Sequence, residues 1–154
     1  MTNHLNKKNK PTVVDISKKN ETHRSATAQG LIKFSKKTFK KIISLKTKKG
    51  EITNTAIIAG IIGAKKTSEI IPLTHNILIE KIDIDIETVK SKNLLIITCN
   101  VKSFGKTGVE MEALNGVSVA CLTIYDMCKS IDKNIIIREI KLLEKKGGKS
   151  DFIR

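Results

Sequence analysis

The chain has no tryptophan, one tyrosine and four phenylalanines in 154 residues. These aromatics (Phe34, Phe39, Phe104, Tyr125, Phe152) are scattered, so no strand offers the stacked rings on which single-stranded nucleic acid is read. There are three cysteines, Cys99, Cys121 and Cys128, with no CxxC pair and an odd count. That pattern excludes a full disulfide framework and points to a reducing, cytosolic setting with thiols packed as small hydrophobes. No second His or Cys stands at ligand spacing from His75, which argues against a zinc site. No apolar run reaches the length of a membrane span. The basic start, MTNHLNKKNKPT, lacks the apolar stretch of a secretory signal. Acidic residues are scarce at one end: residues 1–50 carry 14 Lys+Arg against 2 Asp+Glu, whereas residues 51–154 carry 15 against 13.

What is present suits one domain with a real core, since 40% of the residues are hydrophobic. Residues 1–12 read as a mobile basic tail, and residues 13–154 as a single domain ending in a polar Gly/Lys-rich segment. The net charge of +14 invites a nucleic-acid partner. Its concentration in one third of the chain, almost entirely as lysine, fits a solvated surface or an anionic ligand better.

Residues 25–35, SATAQGLIKFS, alternate in the manner of a strand, with Ala26, Ala28, Gly30, Ile32 and Phe34 on one face. Helical spacing follows over 36–45. TKKGE (47–51) reads as a loop, and 52–66 as a helix whose Ala56, Ala59, Gly60, Gly63 and Ala64 allow close packing. Residues 77–87 contain the strict alternation Ile82-Asp-Ile84-Asp-Ile86, a half-exposed strand. A turn (TVKSKN) and a strand over 94–103 come next. A helix is expected from Glu110 or Ala113 to Ile131, with Val117, Ala120, Cys121, Ile124, Cys128 and Ile131 as its buried stripe. A last strand spans 135–143. This order predicts an α+β, ferredoxin-like split βαβ fold, an antiparallel sheet of about four strands with helices on one face. An isoleucine-rich sheet with an open face favours self-association.

GKTGVEMEAL (105–114) poses the central question. It opens like a phosphate loop and ends in acids. A nucleotide P-loop needs a glycine separated by four residues from its Gly-Lys pair, and Asn100, followed by Val101, stands there, so the motif fails. A glycine-bounded turn into a helix start, with Lys106 beside it, still suits an anion. The plainer alternative makes Glu110 and Glu112 first-turn acids that favour the helix dipole. Asp126 and Lys129, one helical turn apart, are either a surface pair or an acid–base couple. Glu112 and Asp126 lie ~21 Å apart along one straight helix. Either Glu112 precedes the helix, or the two belong to separate clusters, or a neighbouring subunit completes each site. Cations gather in loops at Arg24, Lys49, Lys65-Lys66 and Lys145, Lys146, Lys149, where adjacent glycines let a phosphate approach the backbone.

Several stretches resemble one family in order along the chain: VVDIS (13–17), Thr22 to Arg24, AGIIGAKKTSEIIPLTH (59–75), GKTGVEMEAL, SVACLTIYDMCKS (118–130) and LLEKKGGKSDF (142–152). They are similar to the cyclic pyranopterin monophosphate synthases of molybdenum cofactor biosynthesis. The resemblance implies a lyase that converts 3',8-cyclo-7,8-dihydroguanosine 5'-triphosphate into cyclic pyranopterin monophosphate with release of diphosphate. It implies no redox cofactor, leaves room for a divalent ion with the triphosphate, and implies a cytoplasmic homohexamer, a trimer of dimers with sites between subunits. No nucleic-acid or membrane partner is expected.

By position, the resemblance makes Asp126 the catalytic aspartate, Lys129 its partner, and Lys49 the lysine of a KGD loop that here reads KGE. Leu73, Thr74 and His75, with Met111 and Glu112, match the substrate-binding stretches. Glu110, Arg24, Lys65 and Lys145 match other polar pocket residues. Where the family reads Leu-Cys-His-Pro, this chain reads Leu73-Thr74-His75-Asn76, which removes a thiol and a rigid proline. Arg is usual where Lys66 stands. Two other readings stay open: a ferredoxin-like RNA-binding module, motivated by charge and topology, and an inactive family member, motivated by the altered turn.

Overall fold

The computed structural model describes residues 4–44 and 46–154, excepting the side chains of 44–50. Five strands form one sheet: β1 (Thr22–Lys33), β2 (Ile79–Val89), β3 (Leu94–Gly105), β4 (Ile136–Lys146) and β5 (Phe152–Ile153). Their order is β2-β3-β1-β4-β5, and every neighbouring pair is antiparallel. The first four reproduce the split βαβ arrangement. The fifth is an addition that the sequence pattern did not predict: two residues of the polar tail fold back, so that Phe152 pairs with Lys145 and Ile153 with Glu144.

The helices are α1 (Lys36–Ser44), α2 (Lys46–Lys65), the short α3 (Thr67–Ile70) and α4 (Glu110–Cys128). Ser35 opens α1: its Oγ accepts from the Thr38 backbone N–H at 3.2 Å, the arrangement that satisfies an otherwise orphan helix donor. The segment TKKGE is not the loop expected of it, because α2 begins at Lys46 and runs through it. Gly50 disfavours a helix by only about 1 kcal/mol. The burial of Ile52 and Ala56 that follows outweighs such a cost.

Alternation decides which face of the sheet is covered. Ala26, Ala28, Ile32, Ile97, Cys99 and Val101 are buried in one cluster with Val117, Ala120, Cys121, Ile124 and Cys128 of α4. On β2, Ile82, Ile84 and Ile86 pack against this core while Asp83 and Asp85 between them are exposed. The opposite face is more polar than the isoleucine count suggested. At its centre the Asn100 side-chain amide donates to Thr27 Oγ1 at 2.9 Å. The helix crossing depends on small residues, as their spacing implied. A Cβ on Gly60 would fall 2.8 Å from the Gly116 carbonyl oxygen, and one on Gly116 would fall 2.9 Å from Cys99 Sγ. All three cysteines are buried free thiols.

Candidate active site

The ends of β1 and β4, the turn after β3 and the start of α4 converge on one edge of the domain. Arg24 sits near the start of β1, and its Nε donates to the Gly105 carbonyl at 3.2 Å. Thr22 Oγ1 donates to the Gly147 carbonyl at 2.7 Å. Gly147 has φ +83°, and any Cβ there would collide with the His23 carbonyl; glycine alone fits that conformation and that approach. The Asp151 carboxylate holds the same turn by accepting from the Gly147 N–H at 3.1 Å. The result is a cavity of about 550 Å³ lined by cations: Lys19, Arg24, Lys106, Lys145, Lys146 and Lys149. Gly108 and Glu110 form its opposite wall. A Cβ on Gly108 would strike the Glu110 carboxylate, so the glycine makes room for it. Lys145 Nζ lies 3.4 Å from Glu110 Oε1.

A second cavity, about 380 Å³, adjoins the first and shares Lys19, Thr107, Gly108 and Glu110 with it. Its other walls come from Val14 and Ile16, from Leu73, Thr74, His75 and Ile77, and from Met111 and Glu112. The Leu73-Thr74-His75-Asn76 turn is held by short bonds of its own. Thr74 Oγ1 donates back to the Ile71 carbonyl at 2.8 Å, and the Thr74 N–H reaches the same oxygen at 3.2 Å. His75 Nε2 is 2.7 Å from the Val14 carbonyl.

Glu112 is the most perturbed group here. It is 3% exposed, and its Oε2 has no hydrogen-bond partner among the described residues. Burial is the main cause that pushes its carboxyl up from 4.5 to about 7; the Glu110 charge adds to this, and a bond to its own backbone N–H pulls the other way. A carboxyl with that value exchanges a proton readily near neutral pH.

Not every expected residue joins these cavities. Arg24, Glu110 and Lys145 line the first, and Leu73, Thr74, His75, Glu110, Met111 and Glu112 the second. Asp126 and Lys129 pair at 2.5 Å at the far end of α4, both more than half exposed; the hydrogen bond to Asp126, and then its charge, raise the lysine's pKa. Because α4 starts at Glu110, Glu112 does not precede the helix, and that alternative falls. Lys65, exposed at the end of α2, lines neither cavity. The side chain of Lys49 lies outside the described residues.

Sequence reasoning missed Lys19 and the stretch before it. Their signal was the alternation in VVDIS, where Val14 and Ile16 point one way. Among the described residues no three His, Cys, Asp or Glu side chains converge as a metal site would need, and no helix is long and apolar enough to cross a membrane.

Comparison with known proteins shows the family. The chain is 54% identical over 152 residues to a Helicobacter hepaticus protein named cyclic pyranopterin monophosphate synthase, covering 98% of this chain and 96% of that one. A Campylobacter jejuni subsp. doylei protein of the same name is 51% identical over 152 residues, covering 98% and 97%. One from Helicobacter pylori is 50% identical over 147 residues, covering 96% and 93%. The profile of the MoaC family matches residues 13–148, a span that holds every residue lining the smaller cavity except His4, and the chain belongs to that family.

Proposed function

We propose that the protein is a cytoplasmic cyclic pyranopterin monophosphate synthase. It converts 3',8-cyclo-7,8-dihydroguanosine 5'-triphosphate into cyclic pyranopterin monophosphate and diphosphate, as a lyase. The observation that carries this reading is the pairing of a cationic cavity with an adjoining one that holds a buried carboxyl. A triphosphate needs several cations and backbone donors, which the larger cavity supplies. A guanine-type edge presents N–H donors and needs carboxylate acceptors, which Glu110 and Glu112 supply in the smaller one.

The chemistry asks for proton transfers. The purine-derived imidazole ring opens and closes again as a pterin. The α-phosphate then takes a sugar hydroxyl as its new ester oxygen, and diphosphate leaves. The carbon–carbon bond is already present in the substrate, so the steps need no redox partner. A divalent ion accompanying the triphosphate is compatible with this scheme. Glu112 suits a group that gives or takes a proton near pH 7. Asp126 and Lys129 serve, in this reading, the pocket of a neighbouring copy. That arrangement accounts for an acid–amine pair exposed at one end of α4 while the cavities sit at the other. It fits a homohexamer built as a trimer of dimers, with Lys49 and Lys65 completing the shared sites.

The test is direct. Purified protein is given the cyclised triphosphate, and diphosphate and pterin product are followed. Turnover that is lost in Asp126→Asn, with an unchanged melting temperature, supports the reading. No turnover by wild type, with Asp126→Asn indistinguishable from it, overturns it. Tight, strongly salt-dependent RNA binding in place of turnover would favour the RNA-binding alternative.

A further inference from the structure

The N-terminal stretch Val13–Ser17 runs along the smaller cavity without regular secondary structure. Val14 and Ile16 are half-buried and line the cavity, whereas Val13, Asp15 and Ser17 are exposed. Two bonds fasten this strap to the domain. The Val14 carbonyl accepts from His75 at 2.7 Å, and the Ser17 carbonyl accepts from Lys106 Nζ at 3.3 Å. An internal bond from the Ser17 N–H to Asp15 Oδ1, at 2.9 Å, bends it between the two.

A backbone carbonyl only accepts, so His75 Nε2 must carry a hydrogen. In the neutral ring Nδ1 is then the bare nitrogen, an acceptor. Among the described residues Nδ1 meets no hydrogen-bond partner, although the ring lines the cavity. The residue after His75 is Asn76, which imposes no fixed φ of its own, unlike proline. Neighbouring contacts within the turn fix Thr74, through Ile71, but none of them reaches the His75 ring.

We infer that the strap positions His75: the Val14 carbonyl selects its Nε2–H tautomer, fixes the ring and leaves Nδ1 free to accept a hydrogen bond or proton from the base part of a bound ligand. Val14 acts through the histidine and is a positioning residue. The same seating brings Lys19, three residues beyond Ile16, to the wall that both cavities share. Strap and histidine therefore order together. The inference rests on the reading of the smaller cavity as the base end of a substrate site.

Its test separates the two. Protein with 15N-labelled histidine is studied by long-range 1H–15N correlation, with His4→Gln and His23→Gln identifying the His75 signals. The expected result is one neutral tautomer for His75, protonated at Nε2. Val14→Gly with Ile16→Gly removes the side chains that seat the strap while keeping its backbone. In that variant the His75 signals should move toward the averaged pattern of a free imidazole. Turnover should fall about tenfold to a hundredfold in kcat, as misplacement by about 1 Å can cause, with a smaller change in KM. Ile16→Gly alone gives a milder version should the double variant not fold. A His75 ring protonated at Nδ1, or His75 signals and kcat that ignore the strap substitutions, would overturn the inference. Tautomer averaging on loosening the strap, in a protein that never turns over the cyclised triphosphate, would uphold the positioning and overturn the substrate assignment.

Discussion

Replacing Glu112 by Gln keeps the shape of the side chain and removes its charge, and it should make the protein more stable as it disables the site. The magnitude follows from the buried carboxyl. Its value rises from 4.5 to about 7 on folding, chiefly because burial penalises the charged form. At 1.36 kcal/mol per pH unit, that difference corresponds to roughly 3 kcal/mol. The folded state holds this proton more tightly than the unfolded chain does, so the contribution is fully present below about pH 4.5. It is lost as pH rises through about 7 and stays lost above that. A glutamine pays no such penalty at high pH. Urea unfolding at fixed protein concentration should therefore show the variant gaining on wild type as pH goes from 5 to 8, by up to roughly 3 kcal/mol. The gain shrinks to the extent that the new amide lacks partners. Other titrating groups cancel in the difference between the two proteins. Turnover at pH 7 should fall by about a hundredfold or more if Glu112 moves a proton. A difference in stability that does not change with pH, or a variant less stable than wild type at pH 8, would refute the reasoning.

Gly147→Ala should lower the melting temperature and raise KM for the triphosphate together. A positive-φ alanine costs about 1 kcal/mol or more, and its Cβ would also drive the turn away from His23 and so from Arg24. Thiol reagents at pH 8 should leave Cys99 and Cys121 unlabelled until the protein is unfolded, since burial pushes both thiols up to about 12; rapid labelling of the native protein would contradict the packing. Chains carrying Glu112→Gln and chains carrying Asp126→Asn, each inactive alone, should regain part of the activity when unfolded and refolded together. Failure to complement would place Glu112 and Asp126 in separate functions or make one of them dispensable.

The parts of the fold that were legible are those where one face is wet and the other dry. The Ile-Asp alternation of β2 could be read directly because burial there alternates residue by residue. The buried stripe of α4 was legible for the same reason at helical period as far as Cys128, where the helix ends; Ile131, also expected in it, lies beyond and is half-buried. The start of α4 was legible only to within a turn, as Glu110 or Ala113, and the helix takes the first of these. Its N-cap is Val109, with no side-chain cap bond, so the usual Ser, Thr or Asp signal is missing. The segment 47–51 carries a glycine, which marks loops on average, yet packing further along α2 carries the helix through it. Of the site, the lysine and glycine loops were visible in sequence, but nothing local says that Lys19 and Lys145 line one cavity. That shared lining follows from β1 pairing with β4, which sets Ala26 beside Lys145, and from a strap whose hold is a backbone carbonyl that no side-chain pattern reports.

The opposed halves of GKTGVEMEAL are reconciled by where each carboxyl ends. Both acids sit in the first turn of α4, where the helix dipole favours negative charge by about 0.3–1 kcal/mol. Glu110 adds an ion pair to this, reaching Lys145 across the wall that the two cavities share. Glu112 is buried beside the smaller cavity, which Val14, Ile16, Leu73 and Ile77 also line, and among the described residues it finds no such partner. For it burial wins over the dipole, because desolvating an unpaired carboxylate costs several kcal/mol. In the proposed reading the two residues divide the work: one closes the cationic cavity, and the other exchanges protons in the smaller one. A phosphate loop with nearby acids looks contradictory only while both are assumed to meet the same part of the ligand. Two adjoining cavities, one crowded with cations and the other of mixed lining, remove the contradiction, and they do so with residues at fixed spacing on one helix.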